Sequence, residues 1–253
     1  MIKHSIDNFI NNKNDSKRIE KIRKAEAVSH TEIYTNNELY SKGTWLEKTI
    51  KTVNELIPLF EDYKKINILD LGCGVGRNCI SIAQKFKNIE CKIDCVDILD
   101  IAITKLINNA KKYDVMNSIN GIVDSVENYN IEPNKYDLIM AISVLEHLSC
   151  EAILLKKLNE IKQGTKNNGI VCMIINTNIC EYSVLTGEKL EAQFEINIET
   201  EKLIDLVQNI FSDWEKIKIN VKQQMYTIPR EDGERNLTSD VVTFVARRVA
   251  RKK

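Results

Sequence analysis

Glycine, proline and aromatic residues are scarce in this sequence, and charge of either sign is not in excess. Nine Gly and three Pro among 253 residues leave no collagen-like or low-complexity stretch, and 43% hydrophobic residues are enough for a globular core. The 36 Lys and Arg are balanced by 36 Asp and Glu, so no net charge favours nucleic acid or an anionic membrane as partner. The length favours one domain with an appendage, and the composition favours a small-molecule partner.

Long apolar runs and cysteine motifs are also missing. No stretch is apolar enough for a signal peptide or a membrane span, which predicts a cytoplasmic protein without a membrane partner. The seven cysteines are odd in number, with no Cys-x-x-Cys pair and no neighbouring His. We therefore expect free thiols in a reducing compartment and no metal site.

The two ends of the chain differ from its middle. Residues 1–44 are mostly polar and predict an extension, helical or mobile, which can act as a lid. Apolar residues recur at spacings of three and four from Trp45 to Phe60, which predicts a helix leading into a domain of residues 45–253. The basic residues 247–253 are expected to form a solvated tail.

Strand-like and helical segments alternate from Ile66 onward. This alternation predicts a doubly wound α/β domain, whose mostly parallel seven-stranded sheet carries helices on both faces. Two late strand-like segments joined by the turn 229–233 predict a C-terminal antiparallel hairpin. The predicted strands are 66–71, 91–97, 119–124, 136–143, 169–176, 214–226 and 240–248, and the predicted helices are 77–86, 101–112, 151–162 and 199–210.

A glycine-rich loop follows the first predicted strand. Gly72, Gly74 and Gly76 stand at alternate positions between a strand and a helix, where the backbone can turn sharply and approach a ligand. The spacing differs from the dinucleotide fingerprint, and no Gly-Lys-Ser/Thr ending is present. Because Asp70 would repel a pyrophosphate and could receive an ammonium group, the loop favours a nucleoside that bears an amino acid.

With this loop, the chain resembles the class I S-adenosylmethionine-dependent methyltransferases over about residues 66–248. The resemblance implies that the cofactor is S-adenosylmethionine and that the product is S-adenosylhomocysteine. It places Asp70 beneath the methionine end, Asp97 on the ribose hydroxyls and Asp124 near the adenine. The other implied cofactor contacts are Gly72, Cys73, Gly74, Gly76, Arg77, Asn78, Ile98, Ser125, Val126, Ile142 and Ser143.

Glu146 and His147 follow the fourth strand and are candidate catalytic residues. They are adjacent acid and imidazole side chains, and imidazole titrates near neutral pH. An alternative is that both residues begin a helix and face solvent. A hydroxyl or protonated amine acceptor needs such a base, whereas an ionised sulfur, selenium or tellurium atom needs none.

A closer resemblance is to the tellurite-resistance type of small-molecule methyltransferase. It rests on the loop, on Trp214-Glu215, on Gly233-Glu234-Arg235 and on residues 243–247. Residues 225–228 lack the histidine of that type, which leaves the acceptor open. Tyr40 and Arg235 are candidate lid or substrate residues, as is Trp45, for which a place in the core is the favoured alternative.

The predicted function is methyl transfer from S-adenosylmethionine to a small-molecule acceptor by direct displacement, in a monomer or homodimer. A catalytically silent S-adenosylmethionine-binding subunit is the main alternative. An oxidoreductase is disfavoured by the glycine spacing, and a nucleic-acid methyltransferase by the balanced charge.

Overall fold

The computed structural model describes the backbone of residues 2–230 and 232–249, with side chains described from residue 16 onward. The end of the predicted basic tail, 250–253, and position 231 of the predicted turn lie outside the described residues. No helix within the described ranges is long and apolar enough to cross a membrane. The seven cysteines, all within those ranges, are free, and five of them are buried.

A single mixed sheet forms the centre of the molecule. Its strands are β1 (Lys65–Leu71), β2 (Glu90–Asp97), β3 (Ile119–Val123), β4 (Tyr136–Ile142), β5 (Thr165–Ser183), β6 (Lys189–Leu190), β7 (Glu215–Arg230) and β8 (Gly233–Arg247). They lie in the order β3-β2-β1-β4-β5-β8-β7, and β6 pairs with the end of β5. Strands β1 to β5 are mutually parallel, and β8 is antiparallel to both β5 and β7. The predicted parallel sheet with a C-terminal hairpin is confirmed, and the two-residue β6 is an addition to it.

Helices cover both faces of the sheet, as predicted. They are α1 (Ile2–Asn36), α2 (Lys51–Leu56), α3 (Cys79–Lys85), α4 (Asp100–Lys112), α5 (Glu151–Gly164) and α6 (Thr200–Ile210). In β1, Ile66 and Ile68 pack in the core with α2, α3 and α4, whereas Leu69 and Leu71 pack in the core with α5 and α6. This alternation of side chains along a strand gives the domain two hydrophobic layers around one sheet.

The prediction of one continuous helix from Trp45 to Phe60 is wrong. The segment consists of a 3₁₀ turn at Trp45–Glu47, extended backbone around Lys48, helix α2 and a second 3₁₀ turn at Ile57–Phe60. The hydroxyl of Thr49 donates to the carbonyl of Arg77 at 3.2 Å, and the amide of Ile50 donates to Oδ1 of Asn78 at 3.1 Å. These tertiary hydrogen bonds hold the segment extended against the glycine loop, and Pro58, which has no N–H, interrupts the helix beyond α2.

Three strands run well past the predicted positions at the edge of the sheet where β1 to β4 end. Strand β5 extends to Ser183, β7 extends to Arg230 and β8 begins at Gly233. Their pairing continues to the register Ser183 with Arg235 and Arg230 with Gly233. The ends of these long strands form a platform beyond the carboxyl end of β4.

Candidate active site

The glycine loop is a close-fitting backbone turn at the carboxyl end of β1. Gly72, Gly74 and Gly76 have φ values of 70°, 52° and 95°, a region that side chains disfavour. A Cβ at Gly72 would lie 2.6 Å from Cβ of Val144, and one at Gly76 would lie 2.6 Å from Cδ1 of Leu106. The loop therefore needs glycine for both conformation and space.

Asp97 lies beside this loop at the end of β2. Its Oδ2 accepts a hydrogen bond from the amide of Gly74 at 2.8 Å, and its Oδ1 accepts one from the amide of Leu99 at 2.9 Å. Burial raises the pKa of Asp97, and the two amides oppose that rise. Each carboxylate oxygen can accept more than one hydrogen bond, so the hydroxyl groups of a ribose can still donate to Asp97.

The other predicted cofactor residues lie at the ends of β2, β3 and β4. Ile98 is 55% exposed beside Asp97, although it is apolar. The amide of Asp124 donates to the carbonyl of Asp97 at 3.0 Å, and Oδ1 of Asp124 accepts from the amide of Ser125 at 2.7 Å. Ser143 is exposed with φ of 51°. The structure thus brings these residues to one edge of the sheet, as predicted for open α/β folds.

The side chains of several other predicted cofactor residues make contacts within the protein. Cys73, Val126 and Ile142 are buried in the two hydrophobic cores. The guanidinium of Arg77 lies 5.0 Å from the centre of the Trp45 ring and donates to the Trp45 carbonyl at 2.7 Å. In this arrangement Arg77, like Asn78, holds the segment after α1 against the loop.

Five buried side-chain atoms among the described residues have no hydrogen-bond partner. They are His30 Nδ1, Asp70 Oδ2, Arg77 Nε, Glu146 Oε2 and Arg230 Nε. They belong to the carboxyl edge of the sheet, to the platform and to helix α1. Burial raises the pKa of Asp70 to about 7. Since buried polar groups are normally satisfied, unpartnered ones around a glycine cradle fit a site that takes a polar ligand such as S-adenosylmethionine.

Helix α1 covers the glycine loop. Tyr34, which is 4% exposed, places its hydroxyl 2.8 Å from where a Cβ of Gly74 would lie. The Tyr34 ring packs edge-on against Trp45 at 6.1 Å, and His30 contacts both rings. No ligand can pass between Gly74 and Tyr34 in this arrangement.

The three candidate lid or substrate residues, Tyr40, Trp45 and Arg235, differ in burial and in partners. Tyr40 donates its hydroxyl to the carbonyl of Arg77 at 3.0 Å and packs on Tyr113, so it fastens the segment after α1 to the loop. Trp45 is 43% exposed, and the favoured interpretation of it as a core residue is wrong because its ring lies on the surface over Arg77. Arg235 is 5% exposed and paired with carboxylates.

Glu146 is a buried carboxylate in the 3₁₀ turn after β4. Its Oε1 accepts a short hydrogen bond from the side-chain amide of Asn176, and its Oε2 has no partner. Oδ1 of Asn176 accepts from Gln224 at 2.8 Å and from Ser239 at 3.0 Å. Burial raises the pKa of Glu146. The alternative in which this residue faces solvent is excluded, since it is 2% exposed.

His147 is held by a second carboxylate. Its Nδ1 lies 3.0 Å from Oε2 of Glu195, and its ring stacks on Phe194 at 5.3 Å. Burial lowers the pKa of His147, but the hydrogen bond to Glu195 and the charges of Glu146, Glu195 and Glu26 outweigh burial and raise it to about 9. His147 is therefore an imidazolium at neutral pH, a state that cannot remove a proton from an acceptor.

The protonation of His147 can be measured directly. We expect its ring resonance to titrate at about 9 in an NMR pH titration, and the change Glu195→Gln to lower that pKa. Because the folded pKa lies above the unfolded value of about 6.5, the pair contributes its full stability below pH 6.5 and loses it as the pH rises through 9. The variant His147→Gln identifies the resonance among the three histidines. A titration near 6.5 in the native protein would contradict the assignment.

Sequence reasoning missed the ion pairs that join α1 to the domain. Arg23 lies 2.8 Å from Glu127 and 3.3 Å from Glu195. Glu26 lies 2.8 Å from Arg230, and the pKa of Glu26 falls to about 2 because its hydrogen bonds and the nearby cations outweigh its burial. A signal was present, since residues 23, 26, 30 and 34 recur at the three- and four-residue spacing of one helix face.

A buried ion cluster joins the platform strands. Glu181, with its side chain fully buried, accepts hydrogen bonds of 2.8 Å from both Arg230 and Arg235. Arg235 also pairs with Asp232, and Arg230 with Glu26. The two arginines are thus neutralised by three carboxylates of the chain itself.

Comparison with known proteins identifies the domain. Residues 68–169, which include the glycine loop, Asp97 and Glu146, match the family model described as "Methyltransferase domain". Over these residues the chain matches a methyltransferase domain. This confirms the predicted recognition of an S-adenosylmethionine-dependent methyltransferase and its cofactor.

The relatives of this methyltransferase domain match only in part. A malonyl-[acyl-carrier protein] O-methyltransferase of Ilyobacter polytropus is 38% identical over 78 residues, which are 31% of this chain and 27% of that protein. Pavine N-methyltransferase of Thalictrum flavum is 31% identical over 93 residues, which are 37% of this chain and 25% of that protein. The chain thus covers about a quarter of the length of each of these curated relatives.

The fold of the methyltransferase domain is shared with solved structures. The crystal structure of TehB from Haemophilus influenzae has a TM-score of 0.55 and 20% sequence identity, covering 77% of this chain and 62% of that chain. At this identity the likeness concerns the fold alone.

Proposed function

We propose that this chain transfers the methyl group of S-adenosylmethionine to a small-molecule acceptor and releases S-adenosylhomocysteine. One observation carries the proposal. The glycine loop and the buried carboxyl groups of Asp70 and Glu146, each with one oxygen that has no hydrogen-bond partner, lie at the same edge of the sheet. The first carboxyl group lies on the cofactor side of the edge, and the second lies toward the platform.

The cofactor side divides among three strands. Asp70 and the glycine loop are suited to the methionine end, Asp97 to the ribose hydroxyls, and Ile98 with Asp124 to the adenine. The bound cofactor supplies a methyl group already activated on a sulfonium. The protein then has to align the acceptor and exclude water, and positioning of this kind can supply much of the rate.

Helix α1 is proposed to act as a lid over this site. Tyr34 lies against Gly74, and Arg23 and Glu26 form ion pairs with the domain, so α1 has to move before the cofactor enters. Once the ligand is bound, the same contacts can close the site, which keeps water from the reacting groups.

The proposal extends to the acceptor, the location and the assembly state of the protein. We include a cytoplasmic location, a monomer or homodimer, and a role without nucleic acid, the last of which the balanced charge supports. Tellurite-type chemistry stays an alternative for the acceptor, since the fold is shared with TehB. A silent S-adenosylmethionine-binding subunit would use the same cofactor residues without turnover.

Calorimetric titration tests the cofactor step. We expect S-adenosylmethionine and S-adenosylhomocysteine to bind with dissociation constants that are micromolar or tighter, and NAD not to bind. If neither adenosyl ligand bound, the proposal would be overturned. If both bound but no acceptor were methylated in a screen of amines, alcohols, thiols and chalcogen oxyanions, the silent subunit would be favoured.

A further inference from the structure

The geometry points to a protonated amine as the acceptor, bound by Oε2 of Glu146, which takes up the amine proton. This inference rests on the proposed function, because it concerns the acceptor side of the same site. It separates the two residues, Glu146 and His147, that the sequence left as equal candidates for the catalytic base.

Glu146 is a buried carboxylate without a cation of its own. No ion pair within the described ranges includes it, and its one side-chain donor is the neutral amide of Asn176. A buried carboxylate with one free oxygen is costly unless a partner arrives or a proton binds. A ligand that brings both a positive charge and an N–H group would satisfy that oxygen.

Three cationic side chains, those of Arg23, His147 and Arg230, are paired with carboxylates other than Glu146. Nδ1 of His147 lies 3.0 Å from Oε2 of Glu195, and Glu195 also forms an ion pair with Arg23. Arg230 lies 2.8 Å from Glu26 and from Glu181. Among the described residues, no guanidinium or imidazolium donates a hydrogen bond to Glu146, and in this proposal the acceptor supplies that cationic donor.

The same pairings disfavour an anionic acceptor. An oxyanion at Arg230 and Arg235 would have to displace Glu181 and then face Glu26 and Asp232 as well. Two positive charges against three negative ones leave this part of the platform attractive to cations. Tyr226 of β7 adds a half-exposed aromatic ring that can contact an ammonium group, and burial together with the charges of Glu146 and Glu26 raises the pKa of its hydroxyl.

The neighbours of Glu146 fix which oxygen is available. Asn176 uses its amide nitrogen on Oε1, and its own oxygen is held by Gln224 and Ser239. This chain of hydrogen bonds sets the orientation of the carboxylate and leaves Oε2 as the open acceptor.

Proton transfer to Glu146 precedes methyl transfer in the proposed reaction. The ammonium group transfers one proton to Oε2 of Glu146, which frees the nitrogen lone pair. That lone pair forms the bond to the methyl carbon, and the carbon–sulfur bond breaks with its electron pair going to sulfur. The products are a methylated ammonium ion and neutral S-adenosylhomocysteine, and Glu146 returns its proton to solvent. Burial favours this role, because it raises the pKa of Glu146 and so makes its carboxylate a stronger base.

Equilibrium binding tests the inference without turnover. The full chain saturated with S-adenosylhomocysteine is titrated by calorimetry with benzylamine, propylamine and piperidine, and with benzyl alcohol, benzoate and selenite for comparison. We expect at least one amine to bind, and the alcohol, benzoate and selenite to bind at least tenfold more weakly than that amine. Glu146→Gln is expected to weaken amine binding at least tenfold and to change S-adenosylhomocysteine affinity less than threefold.

A matched variant and a transfer assay complete the test. Glu61→Gln changes an exposed carboxylate before the amino end of β1, at the opposite edge of the sheet, and should bind the amine like the native chain. Mass spectrometry should detect methylation of the bound amine, with a large loss in Glu146→Gln. Failure of all three amines with S-adenosylhomocysteine bound, or tighter binding of selenite, would overturn the amine assignment alone. Failure of S-adenosylhomocysteine to bind would overturn the proposed function itself.

Discussion

Replacing Asp97 with asparagine is expected to weaken S-adenosylhomocysteine binding by about 100-fold, because hydrogen bonds to an ionised carboxylate contribute roughly 1.5–3 kcal/mol each. The substitution keeps the size of the side chain but removes its charge and one of its two acceptor oxygens. It also weakens the contact with the amide of Gly74, which holds the loop in the conformation that receives the ligand. Calorimetric titration measures the effect directly.

The control for this change is three residues away. Asp100 is exposed at the start of α4, so Asp100→Asn alters the same charge on the same connection without touching the loop. We expect its S-adenosylhomocysteine affinity to match that of the native chain. Equal affinities for Asp97→Asn and the native chain would remove Asp97 from the ribose site.

The second large effect is expected on stability. Glu181→Gln should lower the free energy of unfolding by about 3 kcal/mol or more, the range found when one partner of a buried ion pair is removed. The glutamine fills the same volume, so the loss reflects the missing charge between Arg230 and Arg235 rather than a cavity. Urea denaturation followed by circular dichroism gives the value.

A nearby exposed carboxylate provides the comparison. Glu188 lies in the turn after β5 and pairs with no cation among the described residues. Glu188→Gln is expected to change the free energy of unfolding by less than about 0.5 kcal/mol, as surface substitutions usually do. If the two variants were equally stable, the cluster would contribute nothing to folding, and its carboxylates would be free to take part in ligand binding.

The sheet and the cofactor edge could be predicted from the sequence because both depend on local pattern. Alternating strands and helices predict a parallel sheet. Glycine at residues 72, 74 and 76 indicates a backbone with positive φ, which other residues rarely adopt. Asp97 could be placed because carboxyl ends of parallel strands meet at one edge. The error in the helix predicted from Trp45 to Phe60 could not be seen in this way, since hydrogen bonds donated to residues 77 and 78 override its apolar periodicity.

The acceptor side depends on contacts between distant parts of the chain. Glu146 and His147 are adjacent in sequence, yet one is bound by Asn176 on β5 and the other by Glu195 in the segment before α6. Their different surroundings follow from these tertiary partners and not from residue type. The docking of helix α1 on the domain was not foreseen, because Arg23 and Glu26 are joined to partners that lie more than a hundred positions away.

The position of Trp45 gives the protein an optical reporter of its own. The chain has only two tryptophans, and Trp214 is 5% exposed against Phe211 in the core with α5 and α6. Trp45 instead lies on the surface against His30 and Tyr34 of α1 and over the Arg77 guanidinium. Its emission should change when the helix lifts from the loop, while that of Trp214 stays constant. Opening and closing of the site can therefore be followed in real time in the unlabelled protein.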